Sequence, residues 1–427
     1  MPAPPSAPAV SSSARALDYW PRLPGAALAL AIAKASEAHK HLLVVGPSPR
    51  ALQLLQDEIC FFLSGQHESI CVLPGWECLP YDHYSPHPEI TSQRLQTLSR
   101  LVTGQPFILL LSVEQVLHRL PPPAFVQGSS FNLSRGDVLD PVALRSRLSD
   151  SGYLAVSRVM SQGEYAVRGG IIDVFPMGTE LPFRLDLFGE ELEDIRFFDP
   201  ATQKSIEQTE RLSILPAREF PTDARAIEQF RSAYRRDFSG DPQASLIYRE
   251  VSQGRFPAGI EFFLPLFFDT GATLFDFLPE DTRWVLPHDW KELTHLEWAT
   301  LQDRYLQSQV DRERRPLPPE ALSLTPKEAA VGVEQFSRIE VSANSGKAAL
   351  SGMSPFQAEE PAQYPVDHKS AEPFSSLLTR LRQSDAPRIL LNAETMGRAQ
   401  TLIDLLSSPY QGAPILKLGH LSHERRQ

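Results

Sequence analysis

The sequence predicts an α/β protein: a parallel-sheet domain interrupted by a smaller α+β insert, then a linker and a partial βαβ unit. Short apolar runs, "HLLVVG" (41–46), "SICVLP" (69–74) and "FILLLS" (107–112), alternate with helical patterns, as a parallel sheet requires. Between 130 and 216 the text changes to short strands punctuated by Gln162-Gly163, Gly169-Gly170, Gly189 and Asp199-Pro200. From 222 helical patterning returns, and "RWVLP" (283–287) supplies another buried strand.

Taken in order, residues 1–24 are rich in Pro, Ala and Ser and are expected to be disordered. "GAALALAIAKA" (25–35) is short, starts late and runs into Lys34, so it reads as a buried helix rather than a secretory core. After the first strand, Leu52, Leu55, Ile59 and Phe62 share one helical stripe. Ser112 and Gln115 have the spacing of a capping box. Three prolines at 121–123 break the pattern, and Asp140-Pro141 starts the one helix expected in the insert. Ile227, Phe230, Tyr234 and Phe238 lie on one face of the next helix. Residues 343–372 lack periodicity and read as a flexible linker. A helix (373–383), a strand (388–392), a helix (394–407) and a strand (414–418) follow. The expected domains are therefore 25–129 with 217–342, the insert 130–216, and 373–427, which is thin enough to be part of something longer.

Bulk properties narrow the function. The 427 residues suit about two to four domains. The net charge of -11 argues against a chain-wide nucleic-acid surface, because phosphate binding needs clustered Lys and Arg. Three cysteines, Cys60, Cys71 and Cys78, are an odd, low count that suits a reducing cytosol. Cys71 and Cys78 lie near His83 and His87, but their spacing is unlike that of a zinc knuckle, so no metal site is expected. No run approaches the roughly 20 apolar residues of a membrane span.

An α/β domain invites a nucleotide. A phosphate-binding loop after the first strand needs glycines and a Gly-Lys-Ser/Thr ending. "GPSPRAL" (46–52) has no Gly-Lys pair, and two prolines remove N–H donors. "VLPHDW" (285–290) offers only Asp289 as a magnesium-box acid. No Gly-x-Ser-x-Gly elbow occurs. "YDHYSPHPE" (81–89), the densest histidine cluster, reads as a proline-stiffened loop. No catalytic or cofactor-binding residues are expected in this chain.

The insert poses a different question. "GEYAVRGGIIDVFPMG" (163–178) and "LPFRLDLFGEELEDI" (181–195) set Glu164, Arg168, Asp173, Arg184 and Asp186 into paired strands. Alternation puts Phe183, Leu185 and Leu187 on a core face, and Arg184, Asp186 and Phe188 on the other. Arg168 is positioned to join them across the sheet. The alternatives are a solvated face with a local Arg184–Asp186 pair, worth less than about 1 kcal/mol, or a protein-docking surface, where arginine and aromatics are enriched.

The stretch "EYAVRGGIIDVFPMGTELPFRLDLFGEELEDIRFFDPATQKS" closely resembles the second domain of the bacterial transcription-repair coupling factors (Mfd), a domain shared with the excision-repair protein UvrB. "WECLPYDHYSPHPEITSQRL", "LPAREFPTD", "PAGIEFFLPLFF" and "TLFDFLPEDT" resemble the flanking, degenerate helicase-like domain, so the likeness covers roughly 25–340. The resemblance implies a UvrA-binding module with Arg168, Arg184, Asp186 and Phe188 as contacts. Leu187 stands where the family often has a second aromatic, and Ala166 where UvrB often has another arginine. UvrB's Walker lysine and acidic box have no counterpart, and "TSQRLQTLSRL" runs into a helix where UvrB inserts a DNA-probing hairpin. By the same resemblance, ATP and Mg use, RNA polymerase binding and double-stranded DNA translocation belong to family regions outside this chain.

Overall fold

The structure is a computed structural model that describes residues 16–23, 25–63, 69–342 and 374–383, together with Gly397, Gln400, Thr401 and Asp404. The expected linker (343–372) and the expected strands at 388–392 and 414–418 lie outside the described residues, as does most of the expected 394–407 helix. Contacts divide the chain into two units: Met1–Asp18, Lys40–Pro49 and Cys71–Glu340 in one, and Tyr19–His39, Arg50–Ile70 and Val341–Gln427 in the other.

A six-stranded sheet runs in the order Leu17–Trp20, Ser337–Val341, Arg283–Pro287, His41–Gly46, Phe107–Ser112, Ile70–Leu73. Its centre is parallel, with Leu43 opposite Trp284 on one side and Leu109 on the other. All six residues of the central His41–Gly46 strand are buried, which explains its continuous apolar run. The tail expected to be disordered therefore holds a strand at Leu17–Trp20. Arg338 N donates to Ala16 O at 2.9 Å and Ser342 N to Trp20 O at 2.9 Å. Trp20 is buried, so the segment "LDYW" has apolar surface to offer against its Pro/Ala/Ser-rich surroundings.

Helices fall where the periodicity puts them. Ala27–Ala38 buries Ala29, Ala31, Ile32 and Ala33. Pro49–Phe62 buries Leu52, Leu55 and Ile59. Ala224–Asp237 is capped by Asp223 and buries Phe230 and Tyr234, with Ile227 half-buried. Pro88–Val102 runs unbroken through "TSQRLQTLSRL". The Ser112–Gln115 capping box does not form: Ser112 is the N-cap residue without a side-chain cap bond, and Gln115 accepts instead from Arg94 Nη1 at 2.8 Å. A buried guanidinium is a stronger claimant for that amide oxygen than a helix N–H.

Three of the quoted motifs converge on this arginine. Arg94, fully buried, donates from Nε to Glu219 Oε1 at 2.5 Å and from Nη2 to Glu219 Oε2 at 3.1 Å. Trp76 Nε1 donates to the same Oε1 at 3.1 Å, and Arg94 Nη1 also reaches Pro74 O at 2.6 Å. Burial opposes the Glu219 charge, but the Arg94 charge and hydrogen bonds from Arg94 and Trp76 outweigh it and hold the carboxyl below its usual range. Glu219 follows the insert, so the pair ties the helix Pro88–Val102 to the chain returning from it.

The insert has its own core of Tyr165, Ile172, Phe183, Leu185, Leu192 and Ile195. Its six-stranded sheet runs Ser205–Gln208, Glu191–Phe198, Phe183–Phe188, Ile171–Val174, Glu164–Arg168, Leu154–Ala155. Phe131–Ser134 pairs antiparallel with Arg211–Ile214, bringing the two ends of the insert together. Asp140 caps the helix Pro141–Asp150 by accepting from Val142 N.

Candidate partner-docking face

Cross-strand register decides which side chains share a face. Val167, Ile172, Leu185 and Ile195 form one row, and it lies on the core. The neighbouring row, Arg168, Ile171, Asp186 and Asp194, lies on the other face, as does the row Ala166, Asp173, Arg184, Arg196 and Gln208. The alternation read for 183–188 holds: Phe183 and Leu185 are buried, Leu187 packs partly against the core, and Phe188 is 75 % exposed. Arg168, Arg184, Asp186 and Phe188 therefore share one sheet face.

Glycine shapes the tip of this face. Gly169 has φ +61°, and a Cβ on Gly170 would meet Leu187 O at 2.7 Å. Leu187 N donates to Gly170 O at 2.8 Å, so the hairpin tip is drawn against the Phe183–Phe188 strand, where no side chain fits. Glu164, also singled out by the sequence, works locally: its Oε2 accepts from Met160 N and Ser161 N at 2.8 and 2.9 Å.

The charges on the face are organised as a ladder. Arg184 grips Asp173 with both ends of the fork, Nε to Oδ1 at 2.7 Å and Nη2 to Oδ2 at 3.0 Å. Its guanidinium also lies 4.9 Å from the Phe198 ring centroid, and its pKa rises chiefly through the Asp173 hydrogen bond. Asp173 is 2 % exposed and Arg184 18 % by side chain. The local Arg184–Asp186 pair is not what forms: Arg184 is taken by Asp173, its direct cross-strand neighbour, and Asp186 faces the diagonal Arg196 at 3.3 Å instead. Arg196 also donates to Asp194 Oδ2, which accepts from Gln208 Nε2 at 2.9 Å. Burial works against the Asp194 charge, yet Arg196 and Gln208 outweigh it and keep the carboxyl below its usual range. One arginine thus separates two acids that sit directly opposite each other.

Two kinds of residue occupy the face. Arg184, Asp173, Arg196 and Asp194 form an ion-paired floor. Phe188 and Ile171 (37 % exposed) project from it, and Arg168, exposed at its edge, donates from Nη2 to Ser157 O at 2.5 Å. Sequence reading missed Asp173 as the partner of Arg184, and missed Arg196, Asp194 and Ile171 as members of the face. Counting the two-residue period across both hairpins would have found them. The floor has a stability consequence: Arg184→Ala strands a buried carboxylate and should lower the unfolding free energy by about 1–2 kcal/mol in urea denaturation. A change within error would mean that Asp173 finds water or another donor.

This face lies on the small inserted domain, and that domain matches a known family. Residues 131–220 match the family described as the UvrB interaction domain. The chain is 38 % identical over 389 residues to the transcription-repair-coupling factor of Haemophilus influenzae, covering 90 % of this chain and 33 % of that protein. It is 36 % identical over the same length to that of Escherichia coli, with the same coverage, and 29 % identical over 268 residues to that of Bacillus subtilis, covering 60 % of this chain and 23 % of that protein. The chain spans about a third of the first two of these relatives. Over nine-tenths of its length the chain is thus similar to transcription-repair-coupling factors.

Proposed function

We propose that this chain is a non-catalytic adaptor module that recruits UvrA through the insert, linking transcription-repair coupling to nucleotide excision repair. The observation that carries the reading is an exposed aromatic, Phe188, standing on an ion-paired sheet face inside the domain matched as a UvrB interaction domain. Arg168 borders it and offers directional hydrogen bonds to a carboxylate or carbonyl of the partner. Asp186 retains acceptor capacity beyond its contact with Arg196, and Arg184 contributes by holding the floor in place. DNA translocation with ATP and Mg, and contacts with RNA polymerase and double-stranded DNA, fall to parts of the full-length protein beyond this third.

Non-catalysis is supported at the nucleotide position of the sheet. Only Pro47 and Ser48 separate the strand His41–Gly46 from the helix Pro49–Phe62, leaving no loop to wrap a phosphate. A titration of UvrA against the chain tests the reading. Saturable complex formation without nucleotide turnover by the chain supports it. No complex, or ATP hydrolysis by the chain itself, overturns it.

A further inference from the structure

Away from the insert, a cavity of about 350 Å³ opens among Trp76, Glu114, His118, Phe262, Glu297 and Leu301. It falls within the size range of small-molecule sites, about 300–1,000 Å³. Part of its wall is the chain that follows the strand Ile70–Leu73, and part is the chain that follows its sheet neighbour Phe107–Ser112. The carboxyl ends of sheet strands are where α/β folds bind ligands.

The chemistry of the wall is one-sided. Phe262 and Leu301 are buried apolar surface, whereas Glu77, Glu114 and Glu297 bring three carboxylates.

 Neither lysine nor arginine lines it, and His118 is its single nitrogen heterocycle besides Trp76. Neither Glu114 nor Glu297 has an ion-pair partner among the described residues. Burial raises the Glu114 carboxyl and the nearby Glu297 raises it further, outweighing the Arg94 charge and a hydrogen bond with Gln115, which lower it. Burial likewise raises Glu297. His118 is held neutral, its pKa pushed down to about 3 by burial first and then by the Arg94 charge. Its Nδ1 is buried without a hydrogen-bond partner. Trp76 cannot turn to fill the space, because its indole is fixed by Glu219 at 3.1 Å and packs edge-on to His118 and Phe262, with centroids 4.3 and 5.4 Å away.

Two unpaired acids, an orphaned imidazole nitrogen and an apolar wall are complementary to one ligand chemistry. A cation relieves the repulsion between the acids, a polar head satisfies the nitrogen, and a hydrocarbon body covers the rest. A phosphate or a nucleotide meets three carboxylates and no lining lysine or arginine here. We propose that the cavity binds a small amphipathic organic cation of the arylalkylamine class. Its ammonium sits between Glu114 and Glu297 with a hydrogen bond to His118 Nδ1, and its body lies on Phe262 and Leu301. The inference is independent of UvrA binding.

Calorimetric titration of the whole chain with phenethylamine tests it, with 3-phenylpropionate as the probe of similar body and opposite charge. Phenethylamine should saturate below about 10 mM, the carboxylate should not, and Glu114→Gln or Glu297→Gln should each weaken the amine about tenfold. Thermal unfolding of each variant confirms that it is folded, and Leu301→Trp, which fills the apolar end, should abolish binding while both acids remain. Acetyl-lysine amide (acetylated at its α-nitrogen) distinguishes the source of the ammonium: tighter binding than phenethylamine assigns the site to a partner's side chain and overturns the small-molecule form. Equal binding of amine and carboxylate, indifference to the glutamine variants, or no saturation overturns the site altogether.

Discussion

Replacing Phe188 by alanine weakens UvrA binding by about 2 kcal/mol or more, roughly thirtyfold in Kd, while leaving the urea midpoint of the chain unchanged. Both halves of this result follow from its position. The ring is 75 % exposed at the end of the strand Phe183–Phe188, so the free protein loses little packing when it is removed. In the complex the same ring is the large apolar surface available for burial, and truncated aromatic anchors cost about this much. Arg168→Ala should weaken binding less, since a rim arginine acts in a wetter setting. Arg184→Ala is the less informative variant, because the loss of its Asp173 pair disturbs the floor beneath the face. Unchanged Kd for folded Phe188→Ala would mean that UvrA uses another surface.

Glu219→Ala destabilises the chain by about 3–5 kcal/mol, the largest effect expected of any single substitution considered, because it leaves the Arg94 guanidinium buried without its counter-ion. Chemical denaturation followed by tryptophan fluorescence checks it, and a loss below about 1 kcal/mol would put the pair in the class of surface bridges. The double replacement Arg94→Met with Glu219→Leu should recover much of the loss, as buried pairs exchanged for apolar packing do. The same cluster sets an acid limb. His118 titrates at about 3 in the folded chain and near 6.5 unfolded, so the unfolded state binds the extra proton between those values. Its contribution is fully present above the unfolded pKa and is lost as pH falls toward 3. Glu219 adds to the same trend: its folded pKa is depressed, so its stabilisation is present above the unfolded carboxylate value and is lost as pH falls through the folded one. Stability should therefore decline from about pH 6.5 downward, by up to about 1.4 kcal/mol per pH unit for His118 alone, and His118→Phe should flatten that limb.

Much of the fold was legible because its signals are periodic. The runs at 41–46, 107–112 and 283–287 became the strands His41–Gly46, Phe107–Ser112 and Arg283–Pro287, since only a strand buried on both faces reads as unbroken apolar text. The stripe of Leu52, Leu55 and Ile59 became the buried side of Pro49–Phe62 for the same kind of reason. Long-range pairing was not legible. Nothing local in "VEQVL" says that Gln115 turns away from its helix to a guanidinium 21 residues earlier. Nothing in "LDLF" says that Asp186 answers Arg196 while Arg184 answers Asp173, 11 residues back. Such choices depend on which strands lie side by side. The tail strand Leu17–Trp20 was hidden by composition: four residues with apolar Leu17, Tyr19 and Trp20 are a weak signal beside a Pro/Ala/Ser-rich leader.

The face itself was readable in outline because period-two alternation survives in "FRLDLF", separating Phe183 and Leu185 from Arg184, Asp186 and Phe188. The division of labour within it was not readable. Arg184 and Arg168 are the same residue type on neighbouring hairpins, yet one is locked to Asp173 and the other is exposed. Burial of the Asp173 partner, rather than the identity of the arginine, makes Arg184 part of the floor, whereas Arg168 holds only the Ser157 carbonyl at the exposed edge.

Hydrogen exchange of the chain with and without UvrA tests the location of the docking face most directly. The account predicts added protection in Glu164–Arg168, Ile171–Val174 and Phe183–Phe188, with Trp76 to Ser85 and the helix Trp290–Ser308 unaffected. Protection confined to those latter segments, with the three insert strands exchanging as in the free chain, would contradict it.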